Sequence, residues 1–228
     1  MSFPNVVEAK PFMVDGKPKP GSAPTFNVSG IFDIDNLKKF QAADPNDPTK
    51  LVQVDVALVC AQLAKAEWPE LDIKNAMAST WPIRSGDIYA AQQEKKKKNG
   101  DAYKGKKIIG MKAMQEYPPT LSAVIDRKLK VLNRAFSDDM KLAAQLFQGG
   151  HYAVAEVNLS PTTMKKGTNQ NTGEDIVEYY VTFWLNSLRL TRLGERFGGA
   201  SLMTRFDGVT GGASSHDPTK SLEDEIPV

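Results

Sequence analysis

Residues 103–134 alternate with the two-residue period of a β-strand while carrying lysines, arginines and tyrosines, and no other stretch constrains the chain as much. Along the first run, Ile109, Met111 and Ala113 fall on one face, with Lys107 and Tyr117 at its ends. Lys106, Lys112 and Glu116 fall on the other, with Ile108, Gly110 and Met114 between them. The first set reads as core and the second as a basic, partly apolar outer surface. Such a run belongs in a sheet with one buried and one open face.

Charge sharpens the reading. The net charge of the 228 residues is only +2, yet residues 84–134 hold thirteen lysines and arginines against five acids. That asymmetry suits an anionic partner held on one face. With 41% hydrophobic and 25% charged residues, the composition is that of a globular chain large enough for one core. Cys60 stands alone, which excludes an intramolecular disulfide, and its setting in VALVCAQLA marks a buried thiol. No signal-peptide pattern opens the sequence and no apolar run reaches membrane-spanning length, so a reducing cytoplasm is the expected compartment, with no membrane partner.

The remaining chain reads as mainly β with inserted helices. Residues 1–24 are proline-rich, with one short strand expected at 5–12. Thr25–Phe32 alternates cleanly, with Phe26, Val28 and Phe32 on one side. A short helix capped by Asp33 or Asp35, a turn-rich loop at 42–50, a helix at 50–67 and a helical piece at 72–79 form an insertion at about 34–79. Residues 81–87 return to extended structure, and 94–101 form a charged loop. A helix at 139–147, capped by Ser137 or Asp138, stops at Gly149-Gly150. Strands at 151–159 and 177–190 flank a polar loop at 162–175. Five or six strands in a meander fit a small β-barrel better than an α/β sheet, in one domain over 1–206 with a flexible, weakly acidic tail at 207–228.

Catalytic chemistry has little to stand on. The two histidines and single cysteine build no zinc site, no GxxxxGK[ST] loop occurs, and Asp33 with Asp35 or Asp138 with Asp139 are explained by helix capping as well as by magnesium. The expectation is a protein that is not an enzyme and takes neither metal nor cofactor. Binding chemistry is better supplied, since charge that tracks a phosphate backbone beside rings that stack on bases is how single-stranded nucleic acid is held. The candidate nucleic-acid-binding residues are Arg84, Lys96, Lys97, Tyr103, Lys104, Lys106, Lys107, Lys112, Arg127, Lys128, Lys130 and Trp184. Tyr103, between the lysine loop and the basic strand, is the best stacking candidate, and Tyr117 is weaker because its parity joins the core face. Arg189, Arg192 and Arg196 add charge where the last strand ends. A solvated strand with ordinary lysines is the plain alternative.

Four phrases carry a resemblance: WPIRSGD (81–87), YKGKKIIG (103–110), FQGGHYAVAEV (147–157) and WLNSLRLTRLGERFGG (184–199). In this order and spacing they resemble the phage single-stranded DNA-binding proteins of the kind found in the tailed phage Enc34. The resemblance implies an oligonucleotide/oligosaccharide-binding (OB) barrel with inserted helices. It also implies coating and protection of single-stranded DNA, largely without sequence preference, in phage DNA replication or recombination inside the infected host cell. RNA is an alternative ligand. Functionally similar proteins carry an acidic C-terminal tail that recruits partners such as replication proteins; here Glu223, Asp224 and Glu225 fill that place. Two other readings compete: a protein-interaction or virion-assembly module, and a magnesium-dependent nuclease using the aspartates.

Overall fold

The computed structural model describes residues 2–14, 17–20, 22–96, 99–170 and 172–194. Strands β1 (Ser2–Lys10), β2 (Met13–Val14), β3 (Lys17–Pro18) and β4 (Thr25–Phe32) open the chain. A 3-10 turn at Ile34–Lys38 leads to a hairpin of β5 (Phe40–Asp44) and β6 (Asp47–Val54). Helices α1 (Val56–Glu67) and α2 (Ile73–Ala76) follow, then β7 (Ile83–Ser85) and α3 (Gly86–Lys95). After a 3-10 turn at Asp101–Tyr103 come β8 (Lys107–Met114), β9 (Thr120–Ile125) and β10 (Lys128–Leu132). Helix α4 (Ser137–Leu146) precedes the two longest strands, β11 (Tyr152–Thr168) and β12 (Asp175–Arg192).

The mainly β architecture with inserted helices stands, but the sheet differs from the meandering barrel expected. An eight-stranded sheet runs β1-β4-β8-β12-β9-β10, with β11 added on β12 and β7 on β8, and among the described residues this path does not close on itself. Most pairs are antiparallel. Along one edge, however, β12 pairs in parallel first with β8 (Phe183 with Met111) and then with β9 (Ser187 with Thr120). Strand β12 thus spans two strands laid nearly end to end, a long-range arrangement that local alternation does not encode.

Several local elements also differ. The turn-rich 42–50 stretch is a hairpin, because Phe40, Ala42, Val52 and Val54 alternate into a half-buried face. The helix then starts later than expected, where the Asp55 carboxylate accepts from the N–H groups of Ala57 and Leu58. Asp33 makes no side-chain cap. Residues 103–134 hold three strands, the last two joined where Asp126 and Arg127 both take positive φ, 51° and 61°, in a tight two-residue hairpin turn. The expected polar loop at 162–175 shrinks because β11 and β12 remain paired out to Thr168 and Asp175.

The core lies on one face of the sheet. Phe26 and Val28 of β4, Ile109, Met111 and Ala113 of β8, Leu121 and Ala123 of β9, and Val181, Phe183, Leu185, Leu188 and Leu190 of β12 are all buried in one cluster. Helices α1 and α4 contribute Val56, Cys60, Ala64, Ala143 and Leu146 to it. Burial pushes the Cys60 thiol up to about 12, so it is inert in the folded protein.

Candidate nucleic-acid interface

The opposite face of the sheet is polar and open. β11 alternates, with Tyr152, Val154, Glu156 and Asn158 exposed and Ala153, Ala155, Val157 and Leu159 turned toward the core. Across the strands a row of facing residues runs Asn27 of β4, Lys112 of β8, Trp184 of β12 and Asn158 of β11. Gly110, two residues before Lys112, is exposed, and a side chain there would meet nothing within 4 Å. The row therefore carries one large ring among small and polar neighbours.

Lys112 and Trp184 act together. The ammonium lies 4.9 Å from the indole centroid, a cation–π distance. Lys112 is half-buried, and desolvation holds its pKa below the usual lysine value. Further along the same face, Arg192 lies 4.0 Å from the ring centroid of Tyr152, which is 49% exposed. Eight residues of β12 separate Trp184 from Arg192, roughly 25 Å at strand rise. Between the two pairs stand exposed Arg189 and one acid, Glu156, which accepts a hydrogen bond from Ser187 at 3.0 Å.

A cleft of about 660 Å³ adjoins Trp184 where the chain leaves β8 and returns as β9. Its lining includes Met114, Glu116, Tyr117, Trp184 and Asn186. Tyr117 does not join the core as its parity implied. It lies beyond the end of β8, in a turn where alternation no longer applies, and is 76% exposed.

The remaining sequence candidates fall in two other places. Around α3, the Tyr103 and Tyr89 rings stack with centroids 6.2 Å apart, and Arg84 donates to the Tyr89 hydroxyl at 3.2 Å. Lys104 is bound by Asp101 and Glu94 at 2.8 and 3.0 Å, which holds its pKa above the usual lysine value. Lys106 is paired with Asp33. Lys107 starts β8, and Lys96 is exposed at the end of α3. Ile108, which parity turns outward, is buried, as is Ala90 of α3, and both stand outside the main cluster. The α3 insertion thus covers this end of the face.

At the other end, Arg127 occupies the β9–β10 turn. Lys128 and Lys130 pair with Ile125 and Ala123, so they share the core-side face rather than the open one. Lys130 is tied to Asp139 of α4 at 2.7 Å, and that contact is the main cause of the lowered Asp139 pKa. Lys97 and the tail acids Glu223, Asp224 and Glu225 lie outside the described residues, as does Arg196. The structure brings Lys112 and Trp184 together and separates them from the α3 and hairpin groups. Reading by sequence missed the Tyr152–Arg192 pair as a unit, although the alternation of 152–158 marks Tyr152 as outward.

Among the described residues no group of three or more His, Cys, Asp or Glu side chains could hold a metal ion, and no helix is long and apolar enough to cross a membrane.

No family model matches the chain, and no curated protein matches it. Solved structures similar to it include the single-stranded DNA-binding protein from bacteriophage Enc34 in complex with ssDNA, at 14% identity and a TM-score of 0.47, covering 86% of this chain and 84% of that one. The Enc34 protein alone is similar at 14% identity with a TM-score of 0.41, covering 88% and 81%. Its C-terminal truncation is similar at 14% with a TM-score of 0.43, covering 86% and 83%.

Proposed function

We propose that this chain binds single-stranded DNA on the open face of its sheet, without catalysing a reaction on it. The observation that carries the reading is the Lys112–Trp184 pair, set in a polar cross-strand row and followed along β12 by Arg189 and the Tyr152–Arg192 pair. A ring offers a π-face to any base, and a cation beside it serves the adjoining phosphate. Stacking with backbone neutralisation is sequence-tolerant, which supports coating of a strand largely without sequence preference. An open, shallow face suits unpaired bases, whose rings are free to lie on it. The four sequence phrases that resemble those of phage single-stranded DNA-binding proteins support phage DNA replication or recombination as the setting.

The test is a titration with oligo-dT at low salt, following tryptophan fluorescence, with duplex of the same length as competitor. Quenching that weakens as salt is raised and resists duplex competition is expected. An unchanged signal and no shift in a binding assay at low salt would overturn the proposal.

A further inference from the structure

The cleft beside Trp184 has a feature that a plain stacking surface lacks. On the edge where β12 passes from β8 to β9, its pairing jumps from Trp184 to Ser187. On the other edge, the ladder with β11 steps from Leu185–Val157 to Ser187–Glu156. Asn186 is therefore bulged and paired on neither edge. Its side chain is exposed and lines the cleft. A bulge inside a long strand re-aims a side chain, and such bulges recur beside functional sites. Here it turns a carboxamide into a cleft walled by Trp184, by Tyr117 at 76% exposure and by Met114 at 44%. Glu116 supplies the one charge in the lining, and it is negative.

These walls fit a nucleobase better than a phosphate. A base has apolar faces for Trp184, Tyr117 and Met114 and a polar edge for Asn186 and Glu116, whereas Glu116 repels the backbone anion. We infer that the cleft takes one unpaired base edge-in from the strand lying on the open face, and that Asn186 and Glu116 favour a base bearing an amino group. This rests on the single-stranded DNA reading above. An asparagine amide pairs with the donor and acceptor of adenine, and a carboxylate accepts from the cytosine amino group. Thymine offers no amino group: its single N3–H donor is flanked by two carbonyl oxygens, which meet the carboxylate unfavourably on either side of that one bond. The chain thus carries a base preference at one position within otherwise tolerant binding.

Affinities of the wild type and of Asn186→Ala for dA, dC and dT oligomers of equal length, at one salt concentration, test this. Homopolymers differ in their own stacking, but that difference cancels in the ratio of variant to wild type for each base. The expected result is a loss of about tenfold on dA or dC and less than about twofold on dT. Glu116→Gln, in the exposed turn after β8, gives a second reading should the bulge variant misfold: the dC affinity falls while the dT affinity holds or rises. Ratios equal within twofold for all three bases would overturn the base slot while leaving single-strand binding intact. Failure of the wild type to bind any oligomer would overturn both.

Discussion

The Lys112 ammonium rests 4.9 Å from the Trp184 ring centroid, across the short parallel contact that joins β8 to β12. Because Trp184 stands on the open face, outside the core cluster, Trp184→Ala removes the ring without touching the core. Loss of one stacked base corresponds to about 1–3 kcal/mol of binding free energy. The other two tryptophans are placed differently: Trp68 packs edge-on against Tyr179 at 5.0 Å, and Trp81 packs on the core. Oligo-dT should therefore quench the wild type and leave most of the fluorescence of the Trp184→Ala variant unchanged. Full quenching of the variant would place the strand elsewhere.

Lys112 keeps its charge against the cost of desolvation. Burial disfavours its charged form, so its folded pKa lies below the usual lysine value. As pH rises through the folded pKa, the native chain releases this proton while the unfolded chain still binds it, and stability rises until the unfolded lysine also titrates. Lys112→Met should be at least as stable as the wild type at pH 7 and should lack that alkaline rise. It should bind single strands more weakly and with a salt slope shallower by about one unit. Thermal unfolding between pH 7 and pH 10, set beside a salt series, measures both effects. A less stable variant at pH 7 would show that the cation–π contact outweighs desolvation.

Lysines already engaged by acids release few counterions when a strand binds. Lys106 pairs with Asp33, Lys104 with Asp101 and Glu94, and Lys130 with Asp139. Exposed Arg189 shares the open face with Trp184. Arg189→Ala should flatten the salt dependence by about one unit, while Lys106→Ala leaves it within a few tenths. Glu156, the acid on the same face, should act in reverse, with Glu156→Gln tightening binding by a factor of about two to five at low salt. Equal slopes for Lys106→Ala and Arg189→Ala would move the binding path toward α3.

Part of this was legible in the residues. Strict alternation placed Ile109, Met111 and Ala113 in the core and bounded β4. Alternation along 177–190 sets Trp184 opposite Phe183, and the structure has Phe183 buried and Trp184 on the open face. The lysines were misleading because acids engage them: the partner of Lys106, Asp33, lies 73 positions away, and those of Lys104 and Lys130 are nearby acids that alternation does not pair with them. Helix α3 carries no apolar stripe, so periodicity does not announce it, and its one ring, Tyr89, is the partner on which Tyr103 stacks.

The phrases that resemble phage proteins serve largely as latches. Gly86 donates to the Lys106 carbonyl at 2.8 Å, and a side chain at Gly86 would come within 2.0 Å of the Tyr103 carbonyl oxygen. Asp87 accepts from the Gly105 N–H at 2.9 Å, the main cause of its lowered pKa. His151 Nδ1 likewise accepts from the Gly194 N–H at 3.0 Å. These contacts tie 81–87 to 103–110 and 147–157 to 184–199, which is why the phrases go together. Short-range pattern cannot show that.

Arg134 counted toward the basic excess of the central region, yet it is a clamp. Its guanidinium donates to the carbonyls of Val7 at 2.8 Å, Val6 at 3.1 Å and Pro119 at 3.0 Å, and lies 4.5 Å from the Phe26 ring centroid. It thereby joins the first strand, the turn before β9 and the core face of β4. Arg134→Met keeps much of the packing but leaves three carbonyls without their charged donor, at a cost on the order of 3 kcal/mol. Urea unfolding should show that loss, while oligo-dT affinity well below the transition stays within about twofold, because the open face is untouched. A stable variant with weakened binding would mean that Arg134 contacts the strand after all, and that the core side of the sheet takes part in holding it.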